Sequence, residues 1–203
     1  DTMSTMSDGS VILHRRIAAR VRTLRTERAM SLDALAKKCG VSRSMISLIE
    51  RGESSPTAVV LDRLAAGLGV TLSALFETPP PLRTGDERLA RRAEQPEWRD
   101  PSSGYRRRNV SPPDPSQPMR IVEVSFPPRA RVAFETGARD ARVFQQVWVL
   151  AGAMDVTAGS ARHRLTKGDC LAMTLDAPTV FFNPGARPAR YVVVTCEVPR
   201  NKR

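Results

Sequence analysis

Arg43, Ser44, Ser47 and Arg51 fall at i, i+1, i+4 and i+8, so a helix through them would gather all four on one polar face. Short hydroxyls allow close approach to a duplex, and arginine supplies bidentate recognition of guanine or a contact to phosphate. Bond-making chemistry has much less to draw on. The chain holds two histidines, His14 and His163, and three cysteines, Cys39, Cys170 and Cys196, with no C-x-x-C pair. A lone histidine on a polar segment reads as solvated, and no Ser-His-Asp or Cys-His set can be assembled in the C-terminal half for want of histidine. The three thiols, each in an apolar segment, read as buried and reduced, which suits a cytoplasmic protein.

The polar face needs a scaffold, and the surrounding sequence supplies one. Leu32, Leu35, Ala36 and Cys39 recur at helical spacing after Ser31, a natural N-cap, with Asp33 in the first turn. Gly40 then suits a left-handed position that ends the helix. One residue later Ser42 can cap a second helix, whose inner side carries Ile46 and Ile49 while Ala36 leaves room for a close crossing. The alternative is an ordinary pair of antiparallel helices with a solvated face. Helix spacing, turn glycine and the E-R-G ending at Glu50, Arg51 and Gly52 favour the groove-reading form.

The spacing of Ala36, Gly40, Ile46 and Ile49, closed by Glu50-Arg51-Gly52, resembles the helix-turn-helix of phage-repressor-like regulators, the XRE family, over Leu13 to Phe76. That resemblance implies a five-helix, all-α DNA-binding domain: a first helix from Val11 to Arg28, the two above, one from Thr57 to Leu68 marked by Gly67 and Gly69, and a short LSALF helix capped by Thr71. It also implies that Ser31, Ser42, Arg51, Ser54 and Thr57 hold phosphates or cap helices at the backbone, that Arg43, Ser44 and Ser47 face base edges, and that Arg25 pairs with Glu50 to brace the reading helix. As a partly exposed pair it would contribute about 1 kcal/mol or less.

The 203 residues have room for two small domains, and 41% hydrophobic content suffices for packed cores. A net charge of +11, carried almost wholly by arginine, favours a polyanionic partner, nucleic acid ahead of a membrane surface. No apolar run is long enough for a membrane span, so no membrane partner is expected, and the N-terminus lacks a secretory pattern. The polar first ten residues read as frayed, and the start without Met as a trimmed end.

Composition changes at Thr78. Pro79-Pro80-Pro81 make a stiff linker start, and Trp98 is a poor residue to leave in water. The expected division is residues 11–77 for the helix-turn-helix domain, 78–92 for the linker and 93–203 for a second domain. From Gly104 the period becomes strand-like, with alternation over Met119 to Phe126, Val143 to Leu150, Ala153 to Thr157 and Tyr191 to Val198. Turn signals intervene at Gly152, Gly159, Lys167-Gly168-Asp169 and Asn183-Pro184-Gly185, the pattern of an antiparallel sandwich or small barrel. Arg106-Arg107-Arg108 reads as a solvated strand edge in preference to an extra phosphate contact.

VWVLAGAMDVTAG, then RLTKGDCLAM, then DAPTVFFNPG resembles the order of signatures in a cupin, a jelly-roll barrel. The whole chain thus resembles bacterial regulators that join a repressor-like head to a small cupin. The usual cupin metal needs histidines and a glutamate. Here the glutamate place aligns with Gln145, the second-motif histidine with Thr179, and the first-motif histidine pair falls near Ala138 to Asp140. Amides and hydroxyls are poor ligands for Zn²⁺ or Fe²⁺, so neither metal nor other cofactor is expected, and no enzymatic activity.

What remains is a barrel that holds a small effector or only pairs subunits. Gln145, Val147, Thr179 and Phe181, with Phe134 and Arg142, are the candidate effector residues, Tyr105 a further one, and a filled core the alternative. Strand alternation turns Val147 and Val149 inward and Trp148 outward, where it suits a dimer interface. The favoured function is a homodimeric, sequence-specific regulator of double-stranded DNA, more often a repressor, with a metal-free effector-binding cupin. A cupin enzyme acting on a sugar or small acid, and a barrel used only for dimerisation or partner binding, are the competing readings.

Overall fold

The computed structural model describes residues 8–77, 88–112, 117–135 and 141–199. Four α-helices come first: α1 (Asp8–Glu27), α2 (Leu32–Cys39), α3 (Arg43–Glu50) and α4 (Ala58–Gly67). Ile17, Val21 and Leu24 of α1 recur at helical spacing and close over Leu35, Ile46, Ile49, Leu61 and Leu64, all buried. The fifth helix expected from LSALF is a tight 3₁₀ turn, Leu72–Phe76. Its expected cap is absent as well, because the Thr71 hydroxyl donates 2.7 Å to Glu197 Oε1 in the C-terminal domain and makes no bond to its own turn.

Among the described residues ten strands follow: β1 (Glu97–Arg99), β2 (Arg106–Asn109), β3 (Met119–Phe126), β4 (Arg131–Phe134), β5 (Ala141–Ala151), β6 (Ala153–Ala158), β7 (Ala161–Thr166), β8 (Cys170–Thr174), β9 (Thr179–Phe182) and β10 (Ala189–Pro199). They form two antiparallel sheets, β1-β2-β3-β10-β5-β8 and β4-β9-β6-β7, in the two-sheet barrel arrangement of a cupin. Alternation in β5 sets the layers: Val143, Gln145, Val147 and Val149 are buried, whereas Phe144, Gln146 and Trp148 face outward. Asn183, fully buried, stitches the turn between β9 and β10 to the end of β3. Its Nδ2 donates to the carbonyls of Phe126, Pro127 and Arg187, and its Oδ1 accepts from Gly185 N–H.

The two domains are docked. Asp100 Oδ1 accepts from Ala58 N–H at 2.8 Å, satisfying a donor at the first turn of α4 from the other domain. Arg63 pairs with Glu135 at 2.7 Å, and Arg120 Nε donates to Glu77 at 2.9 Å. Phe76 of the 3₁₀ turn meets Trp98 edge-on, and from there rings follow in contact through Tyr105, Phe126, Tyr191 and Phe181 to Phe134, with centroids 5.5 to 6.1 Å apart. An aromatic chain therefore runs from the helical domain into the barrel.

Two expectations are corrected here. The arginines of β2 do not form a solvated edge: Arg106 pairs with Glu97, Arg107 is buried, and Arg108 binds Glu123 and Gln95. The cysteines are all free thiols, but Cys39 alone is buried, since β8 and β10 turn Cys170 and Cys196 toward the outer face of their sheet. The stiff start of the linker at Pro79 to Pro81 and the cupin positions at Ala138 to Asp140 lie outside the described residues.

Candidate functional site

Each short helix of the head is started by a hydroxyl. Ser31 Oγ accepts from Ala34 N–H, Ser42 Oγ from Met45 N–H, and Thr57 Oγ1 from Val60 N–H, at 3.0, 3.3 and 3.3 Å. Between α2 and α3 the backbone at Gly40 is left-handed, φ +66°, and its N–H closes on Ala36 O. With Ile46 and Ile49 buried, α3 must present its other side. Arg43, Ser44 and Arg51 are exposed there and Ser47 is half-buried.

The cations on this face are held loosely. Arg43 Nε sits 3.4 Å from an Asp33 oxygen, and Arg51 donates to Ser47 Oγ at 2.6 Å and to Glu53 at 2.7 Å. The Arg51–Glu53 hydrogen bond raises the arginine's pKa and lowers the carboxylate's. Solvent-exposed pairs of this kind are weak and exchange readily for a phosphate or a base edge. Ser54 Oγ points at Met45 Sδ, 3.7 Å away. Behind the face, Arg25 donates from two nitrogens to both oxygens of Glu50, at 2.7 and 2.8 Å, and from the third to Met30 O at 2.8 Å. This fork fixes α3 against α1.

In the barrel the two sheets do not fill the whole space between them. A cleft of about 780 Å³, part of it open to solvent, is lined by Val124 and Phe126 of β3, Tyr191, Val193 and Thr195 of β10, and Gln145 of β5. Phe134, Thr179 and Phe181 of the second sheet face them, and Tyr105 and Arg107 close one side. The remaining wall is the helical domain, through Asp62, Thr71, Leu72 and Ser73. Gln145 has only a 3.8 Å contact to Met173 Sδ, and the hydroxyls of Thr179 and Thr195 make no side-chain hydrogen bond among the described residues. Polar groups that open onto a largely apolar cleft without a side-chain partner are what a ligand with a few polar atoms can use.

The helix-turn-helix family model HTH_3 matches residues 21–75, from the second half of α1 through the 3₁₀ turn. Over 62 residues the chain is 36% identical to the control protein C.MunI of a Mycoplasma species, across 84% of that protein and 30% of this chain. The chain belongs to the XRE-type helix-turn-helix family. Its likeness to the HTH-type transcriptional regulator SutR of Escherichia coli (strain K12) runs much further, 27% identity over 192 residues, or 88% of this chain and 93% of that protein. A crystal structure of an HTH_3 family transcriptional regulator from Vibrio cholerae covers 94% of this chain and 99% of its own, with TM-score 0.73 at 28% identity. This XRE-family chain is thus a helix-turn-helix transcriptional regulator with a C-terminal antiparallel two-sheet barrel, and double-stranded DNA is its partner.

Of the effector residues expected from this regulator's sequence, Phe134, Gln145, Thr179 and Phe181 line the cleft, as does Tyr105. Two do not. Val147 shares Gln145's inward direction but is wholly buried in packed core, and Arg142 faces outward over the Phe144 ring, 5.7 Å from its centre. Sequence reasoning missed Asp62, Ser73, Arg107, Tyr191 and Thr195. The last two follow from the alternation of β10, whereas the others depend on how the domains dock. The chemistry of the cleft does not fit the metal that cupins usually carry: Gln145 and Thr179 are neutral oxygen or amide donors, and no imidazole is among the lining residues.

Proposed function

We propose that this regulator acts as a homodimer, as a sequence-specific repressor in the cytoplasm, with a metal-free, non-catalytic cupin that binds a small-molecule effector. The observation that carries the DNA-reading part is the exposed side of α3, where Arg43, Ser44, Ser47 and Arg51 stand clear of the buried Ile46 and Ile49. Arg43, Ser44 and Ser47 are the base-edge set. Ser31, Arg51, Ser54 and Thr57 hold phosphates, and Ser42 starts the reading helix. The cleft supports the effector part, since it combines aromatic walls with Gln145, Thr179 and Thr195 in need of partners. Any regulation equals the effector's difference in affinity for two placements of the heads.

The test is selection of bound sites from random duplexes, followed by affinity measurements across salt concentrations. Arg43→Ala should flatten base preference, at about 1–3 kcal/mol for a lost bidentate contact. Arg51→Ala should weaken all sequences alike and reduce the salt slope by about 1. Binding that ignores base order and both replacements contradicts the reading. A metabolite screen by thermal shift, repeated with Gln145→Ala, tests the effector, and a stoichiometric transition metal in the purified protein would revive cupin enzymology.

A further inference from the structure

Arg107 stands where the cleft meets the helical domain. It is 8% exposed and its guanidinium lies 5.1 Å from the centre of the Phe76 ring. It donates to Ser73 Oγ at 2.5 Å, while its Nε has no partner among the described residues. Five donors in a fixed fork are therefore only partly used, around a full charge removed from water. Burial pulls its pKa down, opposed in part by Tyr105, Tyr191 and Asp62. Ser73 and Asp62 both belong to the helical domain and both line the cleft. The other acid on the cleft, Glu135, is engaged by Arg63 at 2.7 Å. Among the described lining residues Arg107 is the one cation, and it is also a contact that holds the reading head on the barrel.

We propose that the effector is a small amphipathic carboxylate whose acid group takes Arg107 from Ser73, releasing the helical domain from the barrel. Its apolar body lies against Phe126, Phe181 and Tyr191. The inference rests on the effector reading above and adds the ligand's charge and the coupling. A carboxylate matches a single guanidinium fork bidentately and restores the donors now short of partners. Competition with Ser73 gives the ligand the required differential contact, because the bond it makes replaces a bond between the domains.

The full-length protein is titrated by calorimetry with benzoate, phenylacetate and hexanoate, each beside its primary amide. Amide hydrogen exchange over residues 58–76 is followed in parallel. The acids should bind at least about tenfold tighter than the amides, a charge-assisted preference. Arg107→Gln should abolish that preference and Arg107→Lys keep part of it. Exchange over 58–76 should rise with acid, and in Ser73→Ala it should be raised without any. Amides binding as well as acids, or a preference that survives Arg107→Gln, overturns the proposal while leaving an uncharged effector at Gln145 and Thr179 in place. Acid binding with unchanged exchange overturns the coupling. Failure of every acid to bind overturns the whole inference, and the effector reading is then decided by the metabolite screen. The acid–amide comparison uses the unaltered chain, so a poorly folded variant leaves it intact.

Discussion

Arg25 and Glu50 read from the sequence as a partly exposed brace, but their side chains are 14% and 8% exposed and joined by two hydrogen bonds. The pairing raises the arginine's pKa, chiefly through the hydrogen bond to Glu50. Truncating one member leaves a part-buried charge short of its hydrogen bonds, at about 1–3 kcal/mol. Arg25→Ala is therefore expected to lower the urea midpoint markedly with unchanged m, and not merely to weaken operator binding. Arg25→Ala with Glu50→Ala should recover part of the loss. The two tyrosines of the chain, Tyr105 and Tyr191, both face the cleft, and burial pushes both phenols above their ordinary value. A folded-state pKa above the unfolded one means stability that is complete below about pH 10 and is lost as pH rises beyond it. Ultraviolet titration should show no phenolate near that pH and its appearance only together with unfolding. One phenol ionising normally in folded protein would contradict the burial.

Among the elements, α4 approaches α2 closely at Gly67. Sequence reading made Gly67 and Gly69 joint markers of a helix end, yet Gly67 is the last residue of α4 and only Gly69 is left-handed, φ +73°. A Cβ at Gly67 would lie 2.7 Å from Cys39 Cβ and 3.2 Å from Leu35 Cδ1. Gly67→Ala should cost about 1–3 kcal/mol through overpacking, visible as a lower thermal midpoint. Its role shows how far the sequence could be read. Caps, turn glycine and inner isoleucines of the reading helices are local signals a few residues apart, so α2 and α3 were legible in full. Alternation likewise fixed β3 and the inward side of β5. It could not tell Gln145, at a cleft, from Val147, in packed core, because that depends on what the opposite sheet contributes. Arg106-Arg107-Arg108 has no alternation of residue type at all, so the inward turn of Arg107 left no trace. Asp100, Ser73 and Thr71 acquire their partners across a domain boundary, 42, 34 and 126 positions away.

For the molecule as a whole, one helix-turn-helix covers little DNA, and two held about 34 Å apart can read successive major grooves. In the homodimer proposed above, the outer face of β3, β10, β5 and β8 would hold them. Met119, Ile121, Phe144, Trp148 and Val198 are all exposed there, on neighbouring strands in register, with Phe144 beside Cys196 and Cys196 beside Met119. A face of this composition suits a second copy better than water, and a stable pair needs about 800 Å² from each partner. A charge at its centre should then separate the subunits without unfolding them. Trp148→Glu is expected to sediment as a monomer with a near-normal melting profile, since Trp148 is 48% exposed in the single chain. Operator affinity should fall by orders of magnitude, because the two heads no longer share one binding event. The loss should shrink when each half-site is offered alone, where head and groove are unchanged. Equal loss on half-sites and full sites would place the defect in the head and remove this sheet face from the assembly.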